Sequence, residues 1–189
     1  MTAETAPSVT EKLITGDEAL ALGDIGRYEL VEGRIVRMSP TGDEHGGYES
    51  NFHLAIGSFV KAHRLGKVRV GESGVYTRRN PDTARGVDVA FISNERWAQR
   101  QKHASFLDVA PDLIVEIMSP DDRWTKVTQK LREYFAIGVR LVLVADPGAR
   151  TVYAYRSPTD VTEFGEADVL TGGDVLPGFS VPVAEVFAE

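Results

Sequence analysis

The segment from residue 112 to residue 146 restricts the fold more than any other part of the chain. It holds two apolar runs, "LIVEIM" and "LVLVAD", with a helix predicted between them from about Asp122 to Ile137. Gly138 follows that helix, in the position where glycine most often ends one. A strand, a helix and a second strand in this order predict a right-handed crossover with two parallel strands. The second run is apolar nearly throughout, which is typical of a strand covered on both faces.

The rest of the chain supplies further elements around that unit. "YELVEGRIVRMSP" alternates like a β-hairpin, and residues 45–63 place apolar side chains at helical spacing. Strands are also expected over "KVRVGESGVYTRRN" and residues 85–93, and a short N-terminal helix is expected with Asp17 as its cap. The sequence predicts an α/β (α+β) fold, with a central mixed β-sheet, flanking helices and an N-terminal hairpin. We expect one domain over residues 10–189, after a flexible start at residues 1–9.

Composition excludes several classes of protein. The chain has 189 residues and no cysteine, which excludes disulfide scaffolds and thiolate metal sites, and its four histidines are scattered. Any metal is therefore expected to be bound by oxygen. No apolar run approaches the roughly 20 residues that cross a bilayer, and the first residues lack an export signal, so we expect a cytoplasmic protein without membrane contact. The net charge of −7 opposes long-range attraction to nucleic acid but allows a local basic groove.

Two carboxylates interrupt strands that are otherwise apolar. Asp88 lies in "GVDVAF" and Glu116 lies in "LIVEIM". A buried carboxylate is costly without a partner, so each acid needs a cation, a hydrogen-bond donor or water. One interpretation is two unrelated acids, one facing solvent and one paired with an arginine such as Arg85 or Arg140. The other is that the two strands are neighbours, in which case the adjacent carboxylates require a divalent cation.

The helix that follows Glu116 carries two lysines on one face, together with Tyr134. Lys126 and Lys130 are four residues apart. A solvated helix surface is the simpler explanation for such a pair. If the helix packs over the sheet, a lysine there could instead orient a nucleophile or neutralise the charge that develops during attack on a phosphate. Met118, two residues after Glu116, does not supply such a cation from the strand.

These stretches together resemble a known family. The order "YELVEG", "HG", "VDVAF", "PDLIVEIMSPDDR", "KLREY", "GVRLVLVADP" and "LPGF" is similar to a bacterial restriction-endonuclease-like family, a domain of unknown function in the PD-(D/E)XK nuclease superfamily. The resemblance extends from about Asp17 to Phe187. Its most specific part is E-x-x-S-P followed by K-x-x-x-Y-x-x-x-G. The resemblance implies a restriction-endonuclease-like core.

The resemblance also implies a catalytic site with Mg²⁺ or Mn²⁺. The implied catalytic residues are Asp88, Glu116, Lys130, Glu29 and His45, and the implied metal ligands are Asp88, Glu116 and Ile117. Two positions depart from the superfamily pattern: Val87 replaces its proline and Met118 replaces its lysine, which Lys130 would supply from the helix. For Glu29 and His45 the alternatives are a surface hairpin residue and a helix-capping residue.

The predicted function is a Mg²⁺-dependent endonuclease that hydrolyses the phosphodiester bonds of DNA as a homodimer. The expected DNA contacts are Arg78, Arg79, Arg85 and Arg123. The alternative is a degenerate nuclease fold that acts as a binding or assembly module. A glycosidase with two carboxylates as acid and base fits poorly, because it gives the lysines no role and only two Trp are available to stack on sugars.

Overall fold

The computed structural model describes residues 12–120 and 122–188. Within these residues the helices are α1 (Gly16–Ala21), α2 (Asp43–His63), α3 (Asn94–Gln99), α4 (Trp124–Ala136) and α5 (Val183–Val186). The strands are β1 (Tyr28–Val31), β2 (Arg34–Arg37), β3 (Gly66–Arg78), β4 (Thr83–Ser93), β5 (Leu113–Ile117), β6 (Leu141–Asp146), β7 (Thr151–Ser157), β8 (Asp160–Phe164), β9 (Val169–Gly172) and β10 (Leu176–Pro182). The predicted flexible start at residues 1–9 lies outside the described residues.

The central sheet is mixed, as the sequence predicts. Its strands run in the order β2-β1-β4-β5-β6-β7-β8, and β3 lies along the other edge of β4. β5 and β6 are parallel, from Leu113 opposite Leu141 to Ile117 opposite Ala145, and α4 connects them. The predicted hairpin is the antiparallel pair of β1 and β2. The strand, helix and strand that most restricted the fold therefore form the expected parallel unit.

Helices cover both faces of this sheet, and alternation along β5 decides which face each side chain occupies. Leu113, Val115 and Ile117 belong to the apolar core that includes the buried face of α2. Ile114 belongs to the core that includes the buried residues of α4. Glu116 follows the alternation of Ile114, so its side chain is directed towards α4.

The starts of two helices, α1 and α4, differ from the sequence prediction. The N-cap of α1 is Thr15 rather than Asp17, because Thr15 and Glu18 exchange hydrogen bonds in a capping box. α4 begins two residues later than expected, since Asp122 accepts a hydrogen bond from the Ser119 backbone N–H at 2.8 Å and closes a turn there. In the described part of the chain, no helix has the length and apolar character needed to cross a membrane.

Candidate active site

The two acids that interrupt the strands lie side by side. β4 and β5 are antiparallel, with Val89 opposite Val115, so Asp88 and Glu116 occupy the next opposing positions. Opposing residues in such a pair have Cα atoms about 5 Å apart. One carboxylate oxygen of Asp88 accepts a hydrogen bond from the Ile117 backbone N–H at 2.6 Å. The β5 backbone therefore fixes Asp88 beside a second negative charge, an unfavourable arrangement unless a cation compensates it.

Both carboxylate oxygens of Glu116 are bound by side chains of α4. Lys130 Nζ lies 2.7 Å from Oε2, and the Tyr134 hydroxyl donates to Oε1 at 2.5 Å. Burial raises the pKa of Glu116 to about 7, and the Asp88 carboxylate adds to this shift while the Lys130 ammonium opposes it. Lys126, one turn earlier on α4, is exposed. Of the two lysines in the sequence motif, Lys130 is the one that reaches the acids.

Lys130 remains a cation in this environment. Burial alone would lower the pKa of its ammonium, but the neighbouring carboxylates of Glu116 and Glu29 outweigh burial and raise the pKa above its ordinary value. The second of these carboxylates lies 3.4 Å from Nζ. Glu29 is only 7% exposed, so its interpretation as a surface hairpin residue is wrong.

Arg85 joins the buried Glu29 to the half-buried Glu133, so its prediction as a DNA contact is wrong. Its guanidinium donates to Glu29 at 2.8 Å and, through two nitrogens, to Glu133 at 2.6 and 2.7 Å. The arginine is only 7% exposed. Such a two-pronged pair holds a carboxylate in one orientation. Arg85 therefore supports the wall of the site behind Lys130 and does not face a ligand.

Two other predicted DNA contacts lie away from the acids. Arg78 and Arg79 lie at the turn between β3 and β4, where they pair with Glu32 and Asp82, each at 3.0 Å. This turn is five residues along β4 from Asp88, which corresponds to roughly 17 Å. Both arginines are already neutralised by carboxylates, so they make poor phosphate contacts. Arg123, at the start of α4, is exposed and stays a predicted contact.

The first turns of α2 place two further side chains that can bind a metal, His45 and Glu49, beside Asp88. His45 Nε2 lies 3.2 Å from Asp88 Oδ1, and one ligand atom each of His45, Glu49 and Asp88 lies within 4.8 Å of the others. The hydrogen bond to Asp88 raises the pKa of His45, against the effect of burial. Glu49 is anchored by the Gly71 backbone N–H at 2.6 Å. The cap of α2 is Gly42, so His45 is not the capping residue that one interpretation suggested.

Sequence reasoning missed Glu72, which enters the site through a break in β3. Gly71 and Glu72 both have positive φ angles, of +76° and +57°, and the ladder with β4 changes register there. The Glu72 side chain lies over Gly86, where an added Cβ would come within 2.5 Å of its Oε2 atom. Burial raises the pKa of Glu72, and the Asp88 carboxylate adds to the shift. The Arg27 guanidinium pairs with Glu72 and opposes this rise in its pKa.

Negative charge exceeds positive charge around the cavity that these residues line. The cavity has a volume of about 190 Å³, and its wall includes Arg27, His45, Glu72, Asp88, Glu116 and Lys130. Among the described residues that line the cavity or pair with its lining, seven carboxylates accompany three permanent cations. The carboxylates are those of Glu29, Glu49, Glu72, Asp88, Glu116, Asp122 and Glu133, and the cations are Arg27, Arg85 and Lys130. Carboxylate oxygens with one imidazole suit a divalent cation such as Mn²⁺, so the residues present fit a metal site.

Comparison with known proteins agrees with this geometry. The Uma2 family model, described as "Putative restriction endonuclease", matches residues 17–184. The chain belongs to the Uma2 family. Its fold is similar to a crystal structure from Anabaena variabilis ATCC 29413, described as a "putative nuclease belonging to DUF820", with a TM-score of 0.77. The two chains are 24% identical over 92% of this chain and 97% of the other.

The comparisons confirm the family and the fold that the sequence resemblance implied. At this identity the structural similarity shows the Uma2 protein's fold alone: a mixed sheet with flanking helices, as in the nuclease. No curated protein sequence matches the chain. Roles for individual residues therefore rest on the chemistry of the cluster itself.

Proposed function

We propose that this Uma2 protein is an endonuclease that hydrolyses phosphodiester bonds of DNA with the help of a divalent metal ion, Mg²⁺ or Mn²⁺. The observation that carries the proposal is the contact of Lys130 with Glu116, directly beside Asp88. If the ion pair of Lys130 served only to stabilise the fold, one acid would be enough. A second carboxylate next to it, with His45 and Glu49 in reach, adds negative charge that a bound divalent cation would balance.

Asp88 is the central metal ligand in this proposal. The set implied by the sequence adds Glu116 and Ile117, and the folded chain offers His45 and Glu49 as well. The Ile117 backbone N–H already donates to Asp88, so this residue positions the carboxylate through its amide. When bound, a divalent cation supplies Lewis-acid activation of water and neutralises charge on the phosphate.

The remaining residues of the site hold one another in place and direct the charge of Lys130 towards the phosphate. Lys130 keeps its proton, since its pKa is raised by the neighbouring carboxylates, so it acts as a fixed positive charge towards the phosphate and not as a general base. Glu116 holds the ammonium at 2.7 Å, and Tyr134 holds Glu116 from its other oxygen. Glu29 lies beside the same ammonium and is fixed in turn by Arg85. Each group is thus held by a second one, as a preorganised site requires.

Several parts of the proposal go beyond the site itself. Membership of a family whose description is "Putative restriction endonuclease" supports DNA as the substrate. A homodimer, a cytoplasmic location and a single domain over residues 10–189 are further parts of the proposal.

The test is cleavage of supercoiled plasmid and of short duplexes by the purified protein, with Mg²⁺, with Mn²⁺ and with EDTA. We expect nicking or linearisation that depends on the metal and is lost in Asp88→Ala. Cleavage by Asp88→Ala at the wild-type rate would assign the activity to a contaminant or to another site. A wild-type protein that is inactive with every divalent metal would contradict the proposal and favour a binding or assembly module.

A further inference from the structure

A second group of cations lies beside the site, on β3 and on the loop that follows α3. The Arg69 guanidinium lies 4.5 Å from the centroid of the Trp97 ring, and that of Arg100 lies 3.9 Å from it. Lys102 and these three residues line one cavity of about 550 Å³. We call the four residues Arg69, Trp97, Arg100 and Lys102 the Trp97 surface. Cation–π contacts of this kind orient a guanidinium but leave its charge intact.

The three cations of the Trp97 surface outnumber the carboxylates among the described residues that line its cavity. Arg100 and Lys102 form no ion pair with them, and Arg69 donates only to the carbonyl of Val68. Asp108, an acid on the same cavity wall, accepts hydrogen bonds from the Gln101 backbone N–H at 3.0 and 3.2 Å. In a chain with a net charge of −7, cations without carboxylate partners are available to an anionic ligand.

The cavity at the Trp97 surface and the site cavity both adjoin a third cavity. The site cavity shares Arg27 and Glu72 with a neighbouring cavity of about 350 Å³. That cavity shares Gly74 and Phe106 with the cavity at the Trp97 surface. The Phe106 ring packs on Gly74 where these two cavities meet, so an elongated ligand that contacts both the site and the Trp97 surface would pass over this ring.

The register of the sheet gives the distance between the Trp97 surface and Asp88. Arg69 is opposite Ala90, which is two residues along β4 from Asp88. Two strand residues and one strand spacing correspond to a Cα separation on the order of 10 Å, and the arginine side chains extend farther. At about 3.4 Å for each nucleotide of one strand, the Trp97 surface lies roughly three to five nucleotides from the reacting phosphate.

We infer that the Trp97 surface binds the phosphate backbone of the DNA substrate next to the cleaved bond. The inference rests on the proposed function, because it takes the acid cluster as the place of cleavage. That cluster has more carboxylates than cations and repels phosphates, so the binding energy for the flanking DNA must come from cations outside it.

Protection of a sheet edge explains only part of this surface. Charged side chains on an edge strand discourage pairing with other molecules, which would account for Arg69 on β3. Arg100 and Lys102 lie outside every strand, beyond the end of α3, so edge protection gives them no role. Phosphate binding accounts for all three cations.

A binding experiment without cleavage tests the surface directly. Anisotropy of a labelled duplex in EDTA would be measured over a series of salt concentrations for wild type and for the double variant Arg100→Glu/Lys102→Glu. The matched control is Arg132→Glu/Arg156→Glu, which changes the net charge equally at exposed cations on α4 and β7. We expect the first variant to lose at least about tenfold in affinity at low salt and to reduce the slope of log K against log salt by about 2, for two lost phosphate contacts.

The control variant should keep most of its affinity and its salt slope. Equal losses in both double variants would mean that only net charge matters, and no loss in either would place the DNA elsewhere; both results overturn the inference. Melting temperatures of the two variants, expected to match wild type, show that neither change unfolds the protein.

A second assay separates failure of this inference from failure of the proposed function. Bis(4-nitrophenyl) phosphate is a phosphodiester too small to reach the Trp97 surface. With Mn²⁺, the Arg100→Glu/Lys102→Glu protein should hydrolyse it at the wild-type rate while cleaving plasmid at least about tenfold more slowly. Equal losses on both substrates would overturn the inference. A wild type that hydrolyses neither substrate would contradict the proposed function, and the binding assay would still decide the surface.

Discussion

The two halves of the candidate site neutralise their charge in different ways. On the α4 side, the chain supplies its own cations: Lys130 pairs with Glu116, and Arg85 pairs with Glu29 and Glu133. On the α2 side, the acids are Asp88 and Glu49, and among the described residues their partners are His45 and backbone N–H groups. The α4 half therefore has its cations once the chain folds, whereas the α2 half is where we propose that a metal ion from solution binds. Asp88 stands where the two halves meet.

Breaking the α4 half should have the largest effect on stability. Arg85→Met leaves the buried Glu29 and the half-buried Glu133 without their cation, and removing one partner of a buried ion pair such as Arg85 with Glu29 costs about 3–5 kcal/mol. The measurement is urea unfolding of the variant and of wild type. Arg78→Met is the control, because this arginine and its partner Glu32 are both exposed and such pairs contribute less than about 1 kcal/mol. Similar losses in both variants would mean that Arg85 has no special structural role.

Metal binding in the α2 half should stabilise the protein, by less than Arg85→Met destabilises it. We expect Mn²⁺ to raise the melting temperature of wild type, since binding at 100 times the dissociation constant contributes about 2.7 kcal/mol. The effect should exceed that of Mg²⁺, because an imidazole among the ligands favours Mn²⁺. Scanning calorimetry with each metal should show the shift in wild type and in Glu133→Gln, an acid of the α4 half. In Asp88→Asn the shift should vanish; an equal shift there would remove Asp88 from the metal site.

The exposed start of α1 provides the opposite electrostatic case, with the smallest effect. The Thr15 backbone N–H, helped by Lys12, lowers the pKa of Glu18 to about 2, whereas burial raises that of Glu116. A lowered folded-state pKa means that Glu18 stabilises the fold above its ordinary pKa of 4.5, and that this contribution is lost as pH falls towards 2.

Comparison of wild type with Glu18→Gln over a range of pH tests whether the contribution of Glu18 to stability is lost as pH falls. The variant should melt slightly lower near neutral pH, and the two melting curves should converge below about pH 2, where the carboxyl group is protonated in both states. A difference that stays constant down to that pH would mean that hydrogen bonding by the neutral side chain, and not its charge, stabilises the cap.

Local patterns in the sequence were enough to predict the framework of the site. The two apolar runs on either side of a helix predicted the parallel pair of β5 and β6, and with it the position of α4 over the sheet. Once two acid-bearing strands are neighbours, Asp88 and Glu116 must lie close together. The lysine on α4 followed from the family resemblance, because helical spacing alone did not distinguish Lys130 from Lys126.

Features that depend on distant parts of the chain could not be predicted in this way. Arg85 looked like a DNA contact because its partners, Glu29 and Glu133, are 56 and 48 residues away in the sequence. Glu72 reaches the site only because β3 is irregular at Gly71, and alternation along a regular strand does not place it there. Glu49 did leave a signal, since it follows His45 by four residues on the same face of a helix.

The most direct test of the account compares the two lysines of α4 in plasmid cleavage. If Lys130 stabilises the phosphate beside Asp88, Lys130→Met should lower the cleavage rate by about 10²–10³. Lys126→Met, the matched change one turn earlier at an exposed position, should stay within a few-fold of wild type, and both proteins should keep the melting shift with Mn²⁺. Cleavage by Lys130→Met at the wild-type rate, in a folded protein that still binds metal, would contradict the account.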